Sequence, residues 1–471
     1  MSAFLAGLRY EALTLRRERA VWLALFALVA SVLFSLHTGA ARVEAQQSVV
    51  AAARADEAQR LEGLKKTLAK IERGDLKEDL PPFRDPRNAA YMGGGPAARV
   101  AALAPTPLAL AAVGQSDLFP PVVKVTTGSK DSFLFSDEIE NPANLMSGST
   151  DLAFVILFVY PLVVLALAFN FLAGEREQGT LAMTLAAARR PGATLAGKLA
   201  ARVLAPVAAA LLSAALGVAL FAGWSAVASA GFAQLCAVIL VYGAFWAALA
   251  AAVDALGRSS AFNALTLAGA WVVLTMLAPA SVNSLAGYAY PAPSRIGMVL
   301  AARAASIDAD KARDAALARY VEEHPGERRD RGREAALRRL ATQDAAFQRV
   351  EGVVAEHDAQ LSQQRALTDR LEFLSPPLLA HRALADIAGA GEARYRGFLE
   401  RIGAFHEEWR AFFLSRAKAA TALAAADYDA LPRFAEKVGS NAETAAPLMG
   451  VLAPTLLLTA FAWRRLLRAK P

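Results

Sequence analysis

The sequence predicts a mainly α-helical, polytopic membrane protein with six transmembrane helices and two large, mostly helical extracytoplasmic insertions. Three observations support this fold class. Of the 471 residues, 55% are hydrophobic and only 20% are charged, with a mean hydropathy of +0.33. The apolar residues gather in runs that are long enough to cross a bilayer. Basic residues cluster beside these runs, as they do at the cytoplasmic ends of membrane spans.

The first apolar run follows a basic leader, and the further runs follow at intervals along the chain. The expected spans are residues 21–37, 152–173, 203–221, 232–253, 261–280 and 447–463. A secretory signal peptide has the same order of basic leader and apolar run. Here the run has span length and no small-x-small cleavage site follows at once, so an uncleaved first span is expected. Pro161 lies inside the second span, where neighbouring helices or water must satisfy the carbonyl that it leaves free.

Sidedness follows from the basic segments, which the positive-inside rule assigns to the cytoplasm. We divide the chain into seven segments. The first four are a cytoplasmic segment with span 1 (1–38), a first periplasmic part (39–150), span 2 (151–173) and a cytoplasmic coupling segment (174–202). The last three are spans 3–5 (203–280), a helical second periplasmic part (281–446), and span 6 with a basic tail (447–471). Both termini are therefore expected in the cytoplasm.

The first insertion predicts one helix and one strand. Leu61, Leu64, Leu68 and Ile71 recur at three and four residues, which is typical of an amphipathic or coiled-coil helix, and Gly74 ends it. Residues 81–121 are rich in proline and glycine and predict irregular loop. Residues 122–126 predict a strand.

The second insertion predicts helices separated by Pro376 and Pro377. A seam that recurs every seventh residue indicates a long coiled-coil-like helix, and an aromatic set after the prolines indicates the packing face of a helical bundle. The seam residues are Leu340, Phe347, Val350, Val354 and Leu361, with His357 and Gln364 as polar seam positions. The aromatic set is Phe398, Phe405, Trp409, Phe412 and Phe413.

Several chemistries are disfavoured by the residues. Residues 192–199 nearly fit the phosphate-binding pattern G-x-x-x-x-G-K-[ST], but Leu199 replaces the hydroxyl that holds magnesium and no strand precedes the segment. We expect its glycines, Gly192 and Gly197, to separate a cytoplasmic helix from span 3. None of the five histidines has a partner at a metal-binding spacing. The charge of +7 accompanies no nucleic-acid motif, so lipid explains it better.

The expected spans contain no Asp, Glu, Lys or Arg, the residues that an ion-coupled carrier keeps inside the membrane. The candidate functional segment is therefore residues 174–202, outside the spans. A cytoplasmic helix is expected over 180–188, with an apolar face, acidic residues at its start and basic residues at its end. These are Leu181, Leu185 and Ala188; Glu175 and Glu177; and Arg189 and Arg190. A plain interfacial helix without a partner is the alternative.

This segment resembles the E-x-x-x-G-T-L coupling helix and following G-K of type-2 ABC transporter permeases, the membrane subunits of ATP-binding-cassette exporters. The matching residues are Glu175, Arg176, Glu177, Gly179, Thr180 and Leu181, then Arg189, Arg190, Gly197 and Lys198. Segments 141–148, 290–295 and 374–377 resemble a subgroup with large periplasmic domains of unknown function.

The resemblance implies a permease of the bacterial inner membrane that works with a cytoplasmic ABC ATPase dimer and a second permease subunit, identical or homologous. ATP and magnesium would bind the ATPase, and this chain would hold no cofactor and catalyse nothing. Membrane lipid and a periplasmic partner are further expected contacts, and nucleic acid is not. Two other functions stay open: a membrane-anchored scaffold of an envelope complex, and an ion-coupled carrier.

Overall fold

The computed structural model describes residues 2–76, 80–114, 116, 120–128, 150–188, 190–291, 358–419, 421–435 and 444–468, with scattered residues between 297 and 356. The chain is mainly helical, which confirms the fold class at that level. Within the described part, six helices are long and apolar enough to cross a membrane. They are Arg19–Glu72, Leu152–Glu177, Pro191–Phe221, Ala230–Asp254, Ser260–Ala289 and Ala445–Arg465, numbered span 1 to span 6.

The α-helices are numbered in chain order. Before span 3 they are α1 (Ala3–Arg17), α2 (Arg19–Glu72), α3 (Ala89–Met92), α4 (Leu152–Phe154), α5 (Tyr160–Ala168), α6 (Ala173–Glu177) and α7 (Leu181–Ala187). From span 3 they are α8 (Pro191–Phe221), α9 (Trp224–Val227), α10 (Ala230–Asp254), α11 (Ser260–Val272), α12 (Ala278–Ala289), α13 (Pro376–Ala388), α14 (Glu392–Lys418), α15 (Ala425–Asp429) and α16 (Ala445–Arg468). Strands β1 (Arg99–Ala102) and β2 (Val122–Val125) pair antiparallel.

Span 1 is part of a much longer helix than the sequence indicates. The expected span ends at residue 37, but α2 runs from Arg19 to Glu72, so it has 54 residues and a length of about 81 Å. The chain has no proline between residues 19 and 80 to interrupt it. Its last turns carry the predicted amphipathic face, with Leu61, Leu68 and Ile71 buried. The helix ends just before Gly74, whose φ is +77°, as predicted.

Spans 2 and 4 form the centre of the helical bundle. A π-helical turn, Val155–Val159, directly precedes α5 and Pro161. Proline cannot donate the amide hydrogen that would reach the Leu157 carbonyl, and the Tyr242 hydroxyl donates to that oxygen instead, at 3.1 Å. Tyr160 donates in return to the Ile239 carbonyl at 3.2 Å. The expectation that a neighbouring helix satisfies the freed carbonyl is therefore confirmed.

The opposite end of α2 belongs to a second hydrophobic core, which we call the distal domain. It combines the end of α2, α3, β1, β2, α14 and α15. The predicted strand at 122–126 is present as β2, but the prediction of loop for 81–121 is wrong at α3 and at β1. The aromatic packing face is confirmed: Phe398, Trp409 and Phe413 are almost completely buried. The two insertions therefore share one core.

One helix of the second insertion does not belong to that core. Leu379, Ala383 and Leu384 of α13 are buried in the same cluster as spans 2 and 4. Pro376 and Pro377 were expected to separate two helical stretches, and they begin this helix. The predicted heptad seam is not tested by the structure and stays a prediction. Five of its positions lie outside the described residues: Leu340, Phe347, Val350, Val354 and His357.

Candidate functional site

The candidate site surrounds the segment that joins span 2 to span 3. We call this the basic end of the bundle, and it comprises α1, α6, α7, the first turns of α8 and the α10–α11 turn. Here Arg16 and Arg17 occupy the last turn of α1, and the exposed Arg190 precedes the first turn of α8.

Four charged side chains form a buried and electrically balanced cluster at this end. Glu175 of α6 accepts a hydrogen bond from Lys198 of α8, and Lys198 Nζ also lies 3.3 Å from Glu11 Oε2 of α1. Arg202 Nε donates to Glu11 Oε1 at 2.6 Å. The side chains of Lys198 and Glu11 are each only 3% exposed. Two acids and two bases thus compensate one another, which makes their burial tolerable.

Arg202 extends this cluster to the end of span 2. Its Nη1 donates to the Leu167 carbonyl at 3.0 Å and to Asn170 Oδ1 at 2.6 Å. Lys198 Nζ lies 5.5 Å from the centre of the Tyr10 ring, within range of a cation–π attraction. The cluster therefore links α1, span 2, α6 and α8.

Two glycines bring the backbones of α1 and α8 into contact. A Cβ atom at Gly197 would lie 2.1 Å from the Phe4 carbonyl oxygen, and one at Gly7 would lie 2.2 Å from the Thr194 carbonyl oxygen. The expectation that Gly192 and Gly197 separate a cytoplasmic helix from span 3 is wrong, because both lie inside α8. The near-match to a phosphate-binding loop is helical throughout, and its lysine is held by two carboxylates.

Asp254 fixes the start of α6. It is the last residue of α10 and is fully buried. Its Oδ2 accepts from the Leu172 amide at 2.7 Å, and its Oδ1 accepts from the Ala173 amide at 3.0 Å and from Asn263 Nδ2 at 2.8 Å. A carboxylate at a helix start satisfies free amides and interacts favourably with the helix dipole.

Arg176 and Glu177 connect α6 to the α10–α11 turn. Arg176 donates to the Arg258 carbonyl at 3.2 Å. Glu177 accepts from the Ser260 amide at 2.7 Å and from its hydroxyl at 2.9 Å, so it caps α11. Glu175 and Glu177 were expected at the start of the 180–188 helix. They lie instead in the separate helix α6, because Gly179 turns the chain with a φ of +72°.

The predicted cytoplasmic helix exists as α7, which begins after Thr180. Leu181 and Leu185 pack against a small core that includes Phe171, Leu172 and Leu195. Its apolar face thus contacts the bundle, whereas the alternative of a plain interfacial helix would direct that face toward lipid. The opposite face consists of small residues around Met183, which is 68% exposed. The exposed neighbours are Ala182, Ala186 and Ala187.

Most predicted site residues therefore meet at the basic end, but in different roles. Glu175 and Lys198 pair, Arg176 and Glu177 bind the neighbouring turn, and Arg190 is exposed. Arg189 lies outside the described residues. No group of three or more His, Cys, Asp or Glu side chains that could hold a metal occurs among the described residues.

Sequence reasoning missed Glu11, Asp254 and Asn263, and it gave Arg202 no role in the site. A signal for Glu11 was present, because Gly7, Glu11 and Leu15 recur every fourth residue and are the three buried positions of α1. Lys198 and Arg202 were placed before span 3, yet they lie within the first turns of its helix. The expected span 3 contained no charged residue because its predicted start, residue 203, lies after Lys198 and Arg202, whereas the helix begins at Pro191.

Residues 295–436 match a family described as a domain of unknown function (DUF3526). The matched segment contains α13, α14 and α15, so it contributes both to the bundle and to the distal domain. No curated protein matches the chain. The comparison thus connects the second insertion to a family without an assigned activity, and the described geometry supports a helical protein with six candidate membrane spans.

Proposed function

We propose that this chain is the membrane subunit of an ATP-binding-cassette exporter, in which a separate ATPase drives substrate export or a conformational change of the distal domain. The observation that carries this proposal is the construction of the basic end. There, α7 presents an exposed face, while its other face and the adjoining α6 are anchored in the bundle.

The anchoring gives α6 and α7 several routes for transmitting force. Glu175 connects α6 to α1 and α8 through Lys198, and Glu177 connects it to α11. Asp254 holds the start of α6 to the end of span 4. A partner that pushes on α7 would displace these elements together, because buried ion pairs and capped helix ends resist separation.

The exposed surface of α7 suits a protein partner better than water alone. Its small side chains allow close approach, and Met183 supplies a flexible apolar side chain that adapts to a complementary pocket. In this proposal the partner is a cytoplasmic ABC ATPase dimer that carries ATP and magnesium, so the basic end and both termini face the cytoplasm of a bacterial inner membrane.

A second permease subunit, identical or homologous, completes the proposed transporter. Spans 1, 5 and 6 leave most of their apolar surface uncovered in the single chain, whereas spans 2 and 4 are mostly buried. Lipid and the second subunit would divide this surface between them. The distal domain would face the periplasm, where it could contact a periplasmic partner.

The test is recovery of the ATPase with variants of the exposed α7 face. The chain is co-expressed with ATPase genes from its genomic neighbourhood and purified in mild detergent. Met183→Glu is expected to lose the ATPase and its stimulated activity, because a charge replaces an apolar contact, while the matched control Met183→Leu retains both. Recovery of equal amounts of ATPase with both variants, or of none with the unsubstituted chain, would contradict the proposal.

The runner-up is a membrane-anchored scaffold of an envelope complex. The uninterrupted α2 favours it, since one helix of about 81 Å joins the membrane bundle to the distal domain. A scaffold requires the distal domain but not the α7 face. Normal assembly of an envelope complex by Met183→Glu, together with failure of the same assembly after loss of the distal domain, would favour the scaffold.

A further inference from the structure

Two of the spans are interrupted in the same way. In span 2 the π turn Val155–Val159 precedes Pro161, and in span 5 the π turn Val273–Leu277 precedes Pro279. Each proline removes a backbone donor, so each span has a carbonyl that its own helix does not satisfy. These are natural bending points, because both π turns and prolines are recognised causes of helix kinks.

A hydroxyl from another element fills the gap in each case. Tyr242 of span 4 donates to the Leu157 carbonyl at 3.1 Å. In span 5, Ala278 donates five residues back to Val273, as Tyr160 does to Val155 in span 2. After such a turn a proline deprives two carbonyls of a backbone donor, those four and five residues before it. Tyr242 reaches the carbonyl four residues before Pro161, whereas in span 5 the carbonyl five residues before Pro279 is that of Leu274. Ser375 donates to the Leu274 carbonyl instead, at 3.2 Å, and is fully buried.

Ser375 is the residue that precedes α13, so the bond in span 5 is made by the second insertion. The same helix also lies beside the residue that makes the other bond, because Leu379 and Ala383 of α13 line one small gap together with Tyr242. A Cβ atom at Gly450 of span 6 would lie 2.5 Å from Leu379 Cδ1, so α13 is also packed tightly against span 6.

The far end of α13 is bonded to the segment that follows β1 and to α14 of the distal domain. Thr106 donates to the Ala388 carbonyl at 2.6 Å. Arg394 of α14 donates to the carbonyls of Gly389 and Ala104, at 3.0 and 2.6 Å. The helix thus contacts both bending points at one end and the distal domain at the other.

We propose that Ser375 is a positioning residue whose hydroxyl holds span 5 straight at its π turn and makes bending of that span move α13 and the distal domain. Tyr242 has the corresponding role at span 2. This inference rests on the proposed transport function for its purpose, since it gives a route from the basic end to the distal domain. The hydrogen-bond roles themselves can be measured on the isolated chain.

The experiment measures the bend of span 5 by the distance between two spin labels. In a Cys236→Ser background, cysteines replace Leu265 and Leu285, which are exposed and lie on either side of Pro279. Twenty residues of helix separate the labels by about 30 Å. Pulsed electron paramagnetic resonance on the purified chain, without any ATPase, gives the distance distribution.

Ser375→Ala is expected to broaden this distribution toward shorter distances. Ser375→Thr keeps a hydroxyl and should stay narrow, as should the control Ser362→Ala, whose hydroxyl donates to the Ala359 carbonyl three residues earlier. Pro279→Ala restores the backbone donor, so adding Ser375→Ala in that background should cause no broadening. An unchanged distribution in Ser375→Ala, or equal broadening with and without Pro279, would overturn the proposal.

Failure here is distinguishable from failure of the proposed function. The label distances need no partner, whereas recovery of the ATPase through Met183 does not depend on Ser375. In the assembled transporter, Ser375→Ala should retain the ATPase but lose the ATP-dependent shift of the label distance. Persistence of that shift would contradict the coupling role.

Discussion

Removal of Lys198 from the balanced cluster should destabilise the bundle strongly. In Lys198→Met the ammonium is lost, while a side chain of similar length remains in α8. Glu175 then keeps no charged partner among the described contacts, and its Oε2 is already buried without a hydrogen bond. Glu11 retains Arg202 at 2.6 Å. The variant thus leaves one carboxylate buried and uncompensated.

The magnitude follows from the burial of the two partners. Breaking a buried ion pair from one side costs about 3–5 kcal/mol. The Lys198 side chain is 3% exposed and the Glu175 side chain is 16% exposed, so water reduces the penalty somewhat. We therefore expect a loss near the lower limit, about 3 kcal/mol in the free energy of unfolding.

The assay is reversible unfolding in mixed micelles with increasing SDS, followed by helical circular dichroism. Arg190→Met is the matched control, because Arg190 is exposed beside the same helix and should change stability by no more than about 0.5 kcal/mol. The double variant Glu175→Leu with Lys198→Met removes both charges and should return to within about 1 kcal/mol of the unsubstituted chain. Equal stabilities of Lys198→Met and Arg190→Met, or a double variant less stable than Lys198→Met, would refute the reasoning.

Three further predictions concern other parts of the molecule. Gly197→Leu should separate α1 from α8 and expose α1 to limited proteolysis, because no room exists for a side chain, whereas Gly63→Leu, with no atom within 4 Å, should not. Trp409→Ala should lower the unfolding free energy of the distal domain by about 3–5 kcal/mol, measured by urea unfolding followed by fluorescence. Trp224→Ala should lower the unfolding free energy far less, because Trp224 is 77% exposed. Hydrogen bonds from the Ala424 amide and, to a smaller extent, from the Arg416 side chain lower the pKa of Asp427. The ionised carboxylate therefore stabilises the distal domain above about pH 4, and this contribution is lost as the pH falls. Asp427→Asn should weaken that acid dependence of the unfolding free energy, measured by urea unfolding at several pH values.

The six long apolar helices could be predicted because their signal is local. Long apolar runs and flanking arginines identify spans without knowledge of what each span touches. The aromatic face of α14 was predictable for the same reason, since residues such as Phe398 and Trp409 recur at helical spacing. The need for a hydrogen-bond donor from outside span 2 at Pro161 could also be predicted, because a proline always removes a backbone donor.

The errors arise where the structure depends on contacts between distant segments. Nothing in the local sequence showed that Glu11 would meet Lys198, or that β1 would pair with β2 inside a glycine-rich region. The two insertions were separated in the sequence by four spans, yet they share one core. The role of Glu175 was also misjudged, because a carboxylate before a helix looks the same whether it caps that helix or turns toward a buried lysine.

The central claim is that an ATPase contacts the exposed face of α7, and site-specific photocross-linking tests it most directly. In a Cys236→Ser background, Met183→Cys carries a photoreactive label, and membranes containing the chain and its neighbouring ATPase genes are irradiated. The account predicts a cross-link between Met183→Cys and an ATPase chain, changed in yield by ATP, and none from the same label at Leu285 in span 5. Cross-links to lipid alone from Met183→Cys, with the ATPase present, would contradict it.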